Sequence, residues 1–194
     1  MNNVTAIVSI ILAGILTDNM ILSRFMGICP FLGVSKKVST AVSMGLAVTL
    51  VMLIATALTW PIYHYLLFPN YTYLQTLVFI LVIASVVQLL EVFIKRFFSV
   101  LYGAFGIYLS LITTNCAVLG ITILNITADY GFVESLFNAL GAGLGFLFAM
   151  FIFSGVRVRL ESSDIPKSLQ GLPITLIAAA LVSLSFMGFK GLGL

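Results

Sequence analysis

Gly27-Ile28-Cys29-Pro30-Phe31-Leu32-Gly33 holds one of the two cysteines in the chain, and Asn115-Cys116-Ala117-Val118-Leu119-Gly120 holds the other. An offset of 87 positions lays Leu22-Ser23 on Leu109-Ser110, Cys29 on Cys116, and Leu32-Gly33 on Leu119-Gly120. The thiols therefore occupy equivalent points of an internal duplication. Such duplications, in a chain of this hydrophobicity, belong to membrane proteins built from repeated helix groups.

The 194 residues are 61% hydrophobic and only 8% charged, with a mean hydropathy of +1.22. Soluble domains carry roughly a quarter charged residues, so this composition specifies an integral membrane protein. The net charge of +3 comes from scattered loop residues and excludes a nucleic-acid surface. The first apolar run starts at Val4 with no Lys or Arg before it and no small-residue cleavage site after it, so we expect it to be retained as a span rather than removed.

A helix needs about 20 apolar residues to cross a bilayer core roughly 30 Å thick. Six stretches meet or approach this: 4–28, 38–60, 73–94, 98–124, 133–154 and 173–189. Lys36 and Lys37 follow the first, Lys95 and Arg96 the third, and Arg157, Arg159 and Lys167 the fifth. Cytoplasmic loops are enriched in such residues, which puts those three loops in the cytoplasm and both termini outside it. Three spans per copy is an odd number, so the second copy enters the membrane from the opposite side. The expected fold is therefore all-α, one membrane domain of six transmembrane helices in two inverted three-helix repeats, 1–96 and 97–194.

Spans one and four are too long to be single straight helices. The sparsely charged run from Val4 to Ser35 would extend about 48 Å as one helix. Gly27, Pro30 and Gly33 offer breakers in the first copy, and Thr113-Thr114-Asn115 with Gly120 in the second. We expect both spans to be interrupted near Cys29 and Cys116 and to face inward, with Gly33 and Gly120 both needed as glycines. Span two ends at Trp60-Pro61 near several tyrosines, an interfacial aromatic belt. Gly141, Gly143 and Gly145 form a small-residue stripe suited either to packing within the chain or to an intersubunit contact.

Two cysteines beside helix breakers, at equivalent points of inverted repeats, favour a functional role over inert packing. A metal site is the better reading than a disulfide if the thiols lie toward the reducing cytoplasm. Tetrahedral zinc and iron–sulfur clusters take four ligands, and the lone histidine, His64, falls in an outer loop, so a complete site needs another chain. Asp18 and Asn19, with Arg24, sit inside the first apolar run, where ionisable groups are costly and often functional. The competing reading is an Asp18–Arg24 charge pair. Glu91, four residues before Lys95, has the spacing of a helix-face pair. Asp18, Asn19 and Glu91 are the candidate ion-pathway residues, and no catalytic residue set is present.

Several stretches resemble a known family: Asp18-Asn19-Met20, Met26 through Lys37, Gln88-Leu89-Leu90-Glu91, Leu111 through Gly120, and Phe186-Met187-Gly188-Phe189. They are similar to the A subunits of Rnf complexes, along nearly the whole chain. Pro30 and Val118-Leu119 side with Rnf rather than with the related E subunits of the sodium-pumping NADH:quinone reductase. Asp18 stands where these families carry Asn or Glu. The resemblance implies a membrane component of a ferredoxin:NAD⁺ oxidoreductase coupled to Na⁺ or H⁺ translocation in a bacterial or archaeal cytoplasmic membrane. It also implies that Cys29 and Cys116 give two of the four ligands of an intramembrane [2Fe-2S] cluster. The other two would come from the homologous Rnf E subunit, and the remaining partners are other Rnf subunits and the lipid bilayer. Readings that remain open are the E subunit of the quinone reductase, a small inverted-repeat transporter without redox function, and a structural subunit with inert thiols.

Overall fold

Backbone amides that leave water for lipid must pair within their own segment, which makes the helix the natural element for this sequence. The computed structural model describes residues 3–35, 37–67, 71–97 and 111–188, and among them it contains seven α-helices and no strand. These are α1 (Asn3–Ile15), α2 (Ile28–Val34), α3 (Val38–Ile62), α4 (Gln75–Phe97), α5 (Cys116–Thr127), α6 (Phe132–Glu161) and α7 (Leu172–Met187). The first part of the expected fourth span, 98–110, lies outside the described residues, as do Lys36 and the chain beyond Gly188.

Val38–Leu67, Gln75–Phe93 and Phe132–Glu161 are each long and apolar enough to cross a membrane. Leu111–Thr127 and Leu172–Met187 are apolar but shorter. The second span does not end at Trp60-Pro61. Pro61 removes one backbone donor, yet the helix passes through it and relaxes into a π turn, Tyr63–Leu67.

α6 is the central element because its glycines let two helices approach from opposite sides. Residues four apart share a helix face and residues two apart point nearly opposite ways. Gly141 and Gly145 accordingly meet α1, where an added Cβ would lie 3.0 Å from Ile11 Cα and 3.1 Å from Ile15 Cα. Gly143 meets α3 on the other side, with Thr49 Cβ at 2.9 Å, and Gly45 of α3 reciprocates against Leu147 Cα at 2.9 Å. The glycine stripe is thus taken up by packing within the chain. The residue pairs also fix direction: α1 runs parallel to α6, and α3 runs antiparallel to it.

The two ends of this bundle differ in chemistry. At one end Trp60 donates its indole N–H to the Tyr130 carbonyl (3.0 Å) and its ring packs on Phe132 and His64. At the other, Arg157 donates to Ser35 Oγ (2.8 Å) beside the start of α3 at Val38. Lys37, Arg157 and Arg159 therefore gather at one end and the indole at the other, as the charge asymmetry anticipates.

Candidate functional site

The first interruption occupies residues 16–27, ahead of Cys29, and is held by side chains that compete with helix geometry. Thr17 Oγ1 donates back to the Ala13 carbonyl (3.1 Å). Asn19, fully buried, uses its whole amide: Nδ2 donates to the carbonyls of Gly145 (2.8 Å) and Ile15 (3.2 Å), and Oδ1 accepts from the backbone of Ile21 (3.0 Å) and Leu22 (3.3 Å). Ser183 Oγ of α7 donates to the Leu22 carbonyl. The chain turns through Phe25 (φ 56°) and Gly27 (φ 85°), and Gly27 caps α2. The left-handed φ at Gly27 favours a residue without a Cβ.

Pro30 and Gly33 break nothing. Pro30 is the third residue of α2, where its missing N–H has no intrahelical partner to lose, and Gly33 lies inside the same helix. A Cβ at Gly33 would find only Leu111 Cδ1 at 3.9 Å, an ordinary contact, so the expectation that Gly33 must be glycine is corrected. α2 is fastened to α6 instead, by Phe31 stacked on Phe153 (centroids 4.1 Å) and by Arg157 donating to the Leu32 carbonyl and Ser35.

The second interruption is shorter. A helical turn at Leu111–Thr113 stops at Thr114-Asn115, and α5 starts at Cys116. Asn115 is its N-cap, with Oδ1 accepting from Ala117 N (3.0 Å). Gly120 lies inside α5 rather than at the break, and its missing side chain makes room for Met26 Sδ.

The fold presses the two interruptions together. A Cβ at Gly27 would stand 2.9 Å from Phe146 Cε2, 3.1 Å from Asn115 Oδ1 and 3.2 Å from Ala117 Cβ. From this junction α2 runs toward the Arg157 end and α5 toward the Tyr130 end, so their N-termini meet between the two ends of the bundle. Cys29 and Cys116 sit in the first turns of these helices, both as free, exposed thiols. Among the described residues no three His, Cys, Asp or Glu side chains converge on a metal position, and His64 is stacked on Trp60 at the far end. The chain thus offers two surface thiols with half the donors of a four-ligand site.

The remaining candidates separate. Asp18 and Arg24 form an ion pair (3.4 Å) on the wall of a cavity of about 400 Å³ between α1, α5 and α6. Asn19 is a backbone clasp behind it. Glu91 lies half-buried on α4 and does not line that cavity. Sequence reading missed Asn125 and Asn138, a buried pair joined by an Asn138 Nδ2 to Asn125 Oδ1 hydrogen bond (2.7 Å). Their signal was two amides in apolar runs. It also treated Arg157 as a topology marker only, although Arg157 holds the end of the Cys29 helix.

Residues 7–193 match a family described as Rnf-Nqr subunit, membrane protein. The chain is 52% identical over 189 residues to the A subunit of the Na(+)-translocating ferredoxin:NAD(+) oxidoreductase complex of Acetobacterium woodii, covering 97% of this chain and 98% of that one. It is 50% identical over 184 residues to the A subunit of the ion-translocating oxidoreductase complex of Syntrophotalea carbinolica, covering 94% and 95%. It is 44% identical over 185 residues to the A subunit of the proton-translocating ferredoxin:NAD(+) oxidoreductase complex of Clostridium ljungdahlii, covering 95% and 96%. A match over nearly every residue, with the paired cysteine turns inside it, makes this chain a member of the Rnf-Nqr family of membrane subunits.

Proposed function

We propose that this chain is the A-type membrane subunit of an ion-translocating ferredoxin:NAD⁺ oxidoreductase, with Cys29 and Cys116 supplying two ligands of a [2Fe-2S] cluster. The observation that carries this reading is the junction of the two interrupted spans, which brings two free thiols to the chain surface in the first turns of α2 and α5. A [2Fe-2S] cluster takes four protein ligands, so a homologous partner, the Rnf E subunit, provides the other two. When bound, the cluster supplies one-electron transfer. Gly27 and Asn115 start the helices that hold the thiols, while Phe31 and Arg157 anchor α2 on α6. The chain is not catalytic by itself and acts as one subunit of the complex.

Helix packing supports the inverted repeat. α3 and α6, the second helices of the two copies, lie antiparallel against each other. The interrupted span of each copy lies against the second helix of the other, α1 on α6 and α5 on α3. An in-plane two-fold axis produces this exchange. The Arg157 end then faces the cytoplasm and the Trp60 end faces outward, in a bacterial or archaeal cytoplasmic membrane, with the N-terminus outside because α1 runs parallel to α6. A reporter fused to the N-terminus should be inactive if it requires the cytoplasm; cytoplasmic activity there reverses the topology.

The main test is on the purified complex. Cys29→Ser or Cys116→Ser should remove the iron and the electron paramagnetic resonance signal of one [2Fe-2S] cluster and stop ferredoxin:NAD⁺ turnover, with the complex still assembled. Full iron and turnover in both single variants would make the thiols packing residues and end the electron-transfer reading.

A further inference from the structure

Below the Tyr130 end of the bundle, the cavity of about 400 Å³ is walled by Ser9 and Ala13 of α1, Ala128 after α5 and Asn138 of α6, and it reaches Asp18 and Arg24 in the first interruption. Its inner limit is deep. Asn19, next to Asp18, bonds the carbonyl of Gly145, which lies near the midpoint of the 30-residue α6. A helix of that length spans about 45 Å, so the Asp18 carboxylate sits close to the middle of the bilayer. Charges at such a depth persist when they face a polar cavity rather than lipid.

The ion pair on this cavity is loose. Arg24 Nη2 makes one contact to Asp18 Oδ1 at 3.4 Å, and the side chains remain 37% and 46% exposed respectively. A single-contact pair with both partners that open is held weakly and separates readily.

Asn138 adds a second oxygen. Asn125 Nδ2 donates to the Ser135 carbonyl (3.3 Å), which fixes Asn125 Oδ1 as the acceptor for Asn138 Nδ2 (2.7 Å). The Asn138 carbonyl oxygen is thereby the free side of its amide. No hydrogen bond reaches it among the described residues, although Asn138 is only 7% exposed. An unpartnered amide oxygen on the wall of a cavity that also holds a carboxylate is a hard-oxygen donor set. Such sets take alkali and alkaline-earth cations rather than soft metals.

We propose that the Asp18–Asn138 cavity binds a hydrated monovalent metal cation, with the Arg24 guanidinium as its tethered competitor. Charge selects the class: the Asp18–Arg24 pair already sums to zero, so an entering ion adds its own charge to the cavity, and a monovalent ion adds the least. Entry of the ion displaces Arg24 from Asp18, the partly exposed guanidinium keeping its own charge in the open part of the cavity, and departure lets Arg24 return, so the carboxylate always has a cation beside it. The proposal rests on the ion-translocating reading of the complex and assigns a site for the ion within this chain.

The assay uses the whole complex in liposomes, with Na⁺ as probe, reading the Na⁺ concentration for half-maximal ferredoxin:NAD⁺ activity and ²²Na⁺ uptake. Asp18→Asn should raise the half-saturating Na⁺ roughly tenfold or more, since ligand charge dominates affinity at such sites. Asn138→Ala should raise it less. Arg24→Gln should lower it, because the competitor is gone, and a damaged or misassembled protein does not bind its ion more tightly. Unchanged half-saturation in Asp18→Asn and Arg24→Gln overturns the proposal, as does wild-type activity and uptake indifferent to Na⁺. Cluster iron is measured on the same samples. Iron independent of Cys29 and Cys116 would strike the electron-transfer reading, whereas normal iron with unmoved Na⁺ saturation strikes this site alone.

Discussion

The two cysteine-bearing interruptions reach the same result by different physical means. The first uses residues 16–27 as irregular chain, turns at a left-handed glycine, and is fastened by contacts from far along the sequence: Asn19 to Gly145, Ser183 to Leu22, Arg157 to Leu32. Among the described residues the second spans Thr114 and Asn115, with a side-chain cap onto Ala117 two residues away. A helix start can be set by backbone conformation or by a capping oxygen. Among the described residues, the first break draws on hydrogen bonds from far along the chain, and the second on a cap within its own local sequence.

The comparison breaks most sharply at Gly27. Gly27→Val places a β-branched side chain at φ 85° and a Cβ 2.9 Å from the Phe146 ring, which is fully buried and has little room to yield. Backbone strain and overpacking together should cost about 2–5 kcal/mol. The purified complex should lose thermal stability and cluster iron together; a variant with normal melting and iron would show that the first break is not pinned at this residue.

Asn115→Ala probes the second break and should cost about 1 kcal/mol, the usual value of an N-cap. Asn115→Ser, which keeps a capping oxygen, should recover most of the lost thermal stability. Equal damage from Ala and Ser would mean that Asn115 acts through its contact with Gly27 rather than as a cap.

The smallest effect separates the paired glycines. Gly33→Ala meets only an ordinary contact and should stabilise α2 by about 0.5–1 kcal/mol through helix propensity. Gly120→Ala must push Met26 aside, a movable thioether, and should be mildly unfavourable. A Gly33→Ala variant as unstable as Gly120→Ala would erase the asymmetry read from the packing.

Legibility followed the range of the interactions. The membrane character, the likeness of the two cysteine turns and the excess length of the first span depend on composition and spacing, and each could be read along the chain. Pro30 and Gly33 were misleading because a helix breaker is defined by its position in a helix: Pro30 falls in the first turn of α2, where proline is tolerated. The glycine stripe was ambiguous for the same reason. Its three residues face α1 and α3 on opposite sides of α6, and no pattern within α6 names those neighbours.

Asp18 and Arg24 show where this division falls. Their placement inside an apolar run was visible at once, and with it the need for a partner or a cavity. That both lie on one cavity with Asn138, whose amide is oriented by Asn125, depends on α5 and α6 packing beside the first interruption. Hydrophobicity and motif spacing sum over neighbours in sequence, so the sequence by itself determined an all-helical membrane protein with two similar cysteine-bearing turns. Which polar groups meet depends on contacts between residues far apart in the chain, and only the tertiary structure decided that the two thiol turns adjoin and that Asp18 and Asn138 line one cavity.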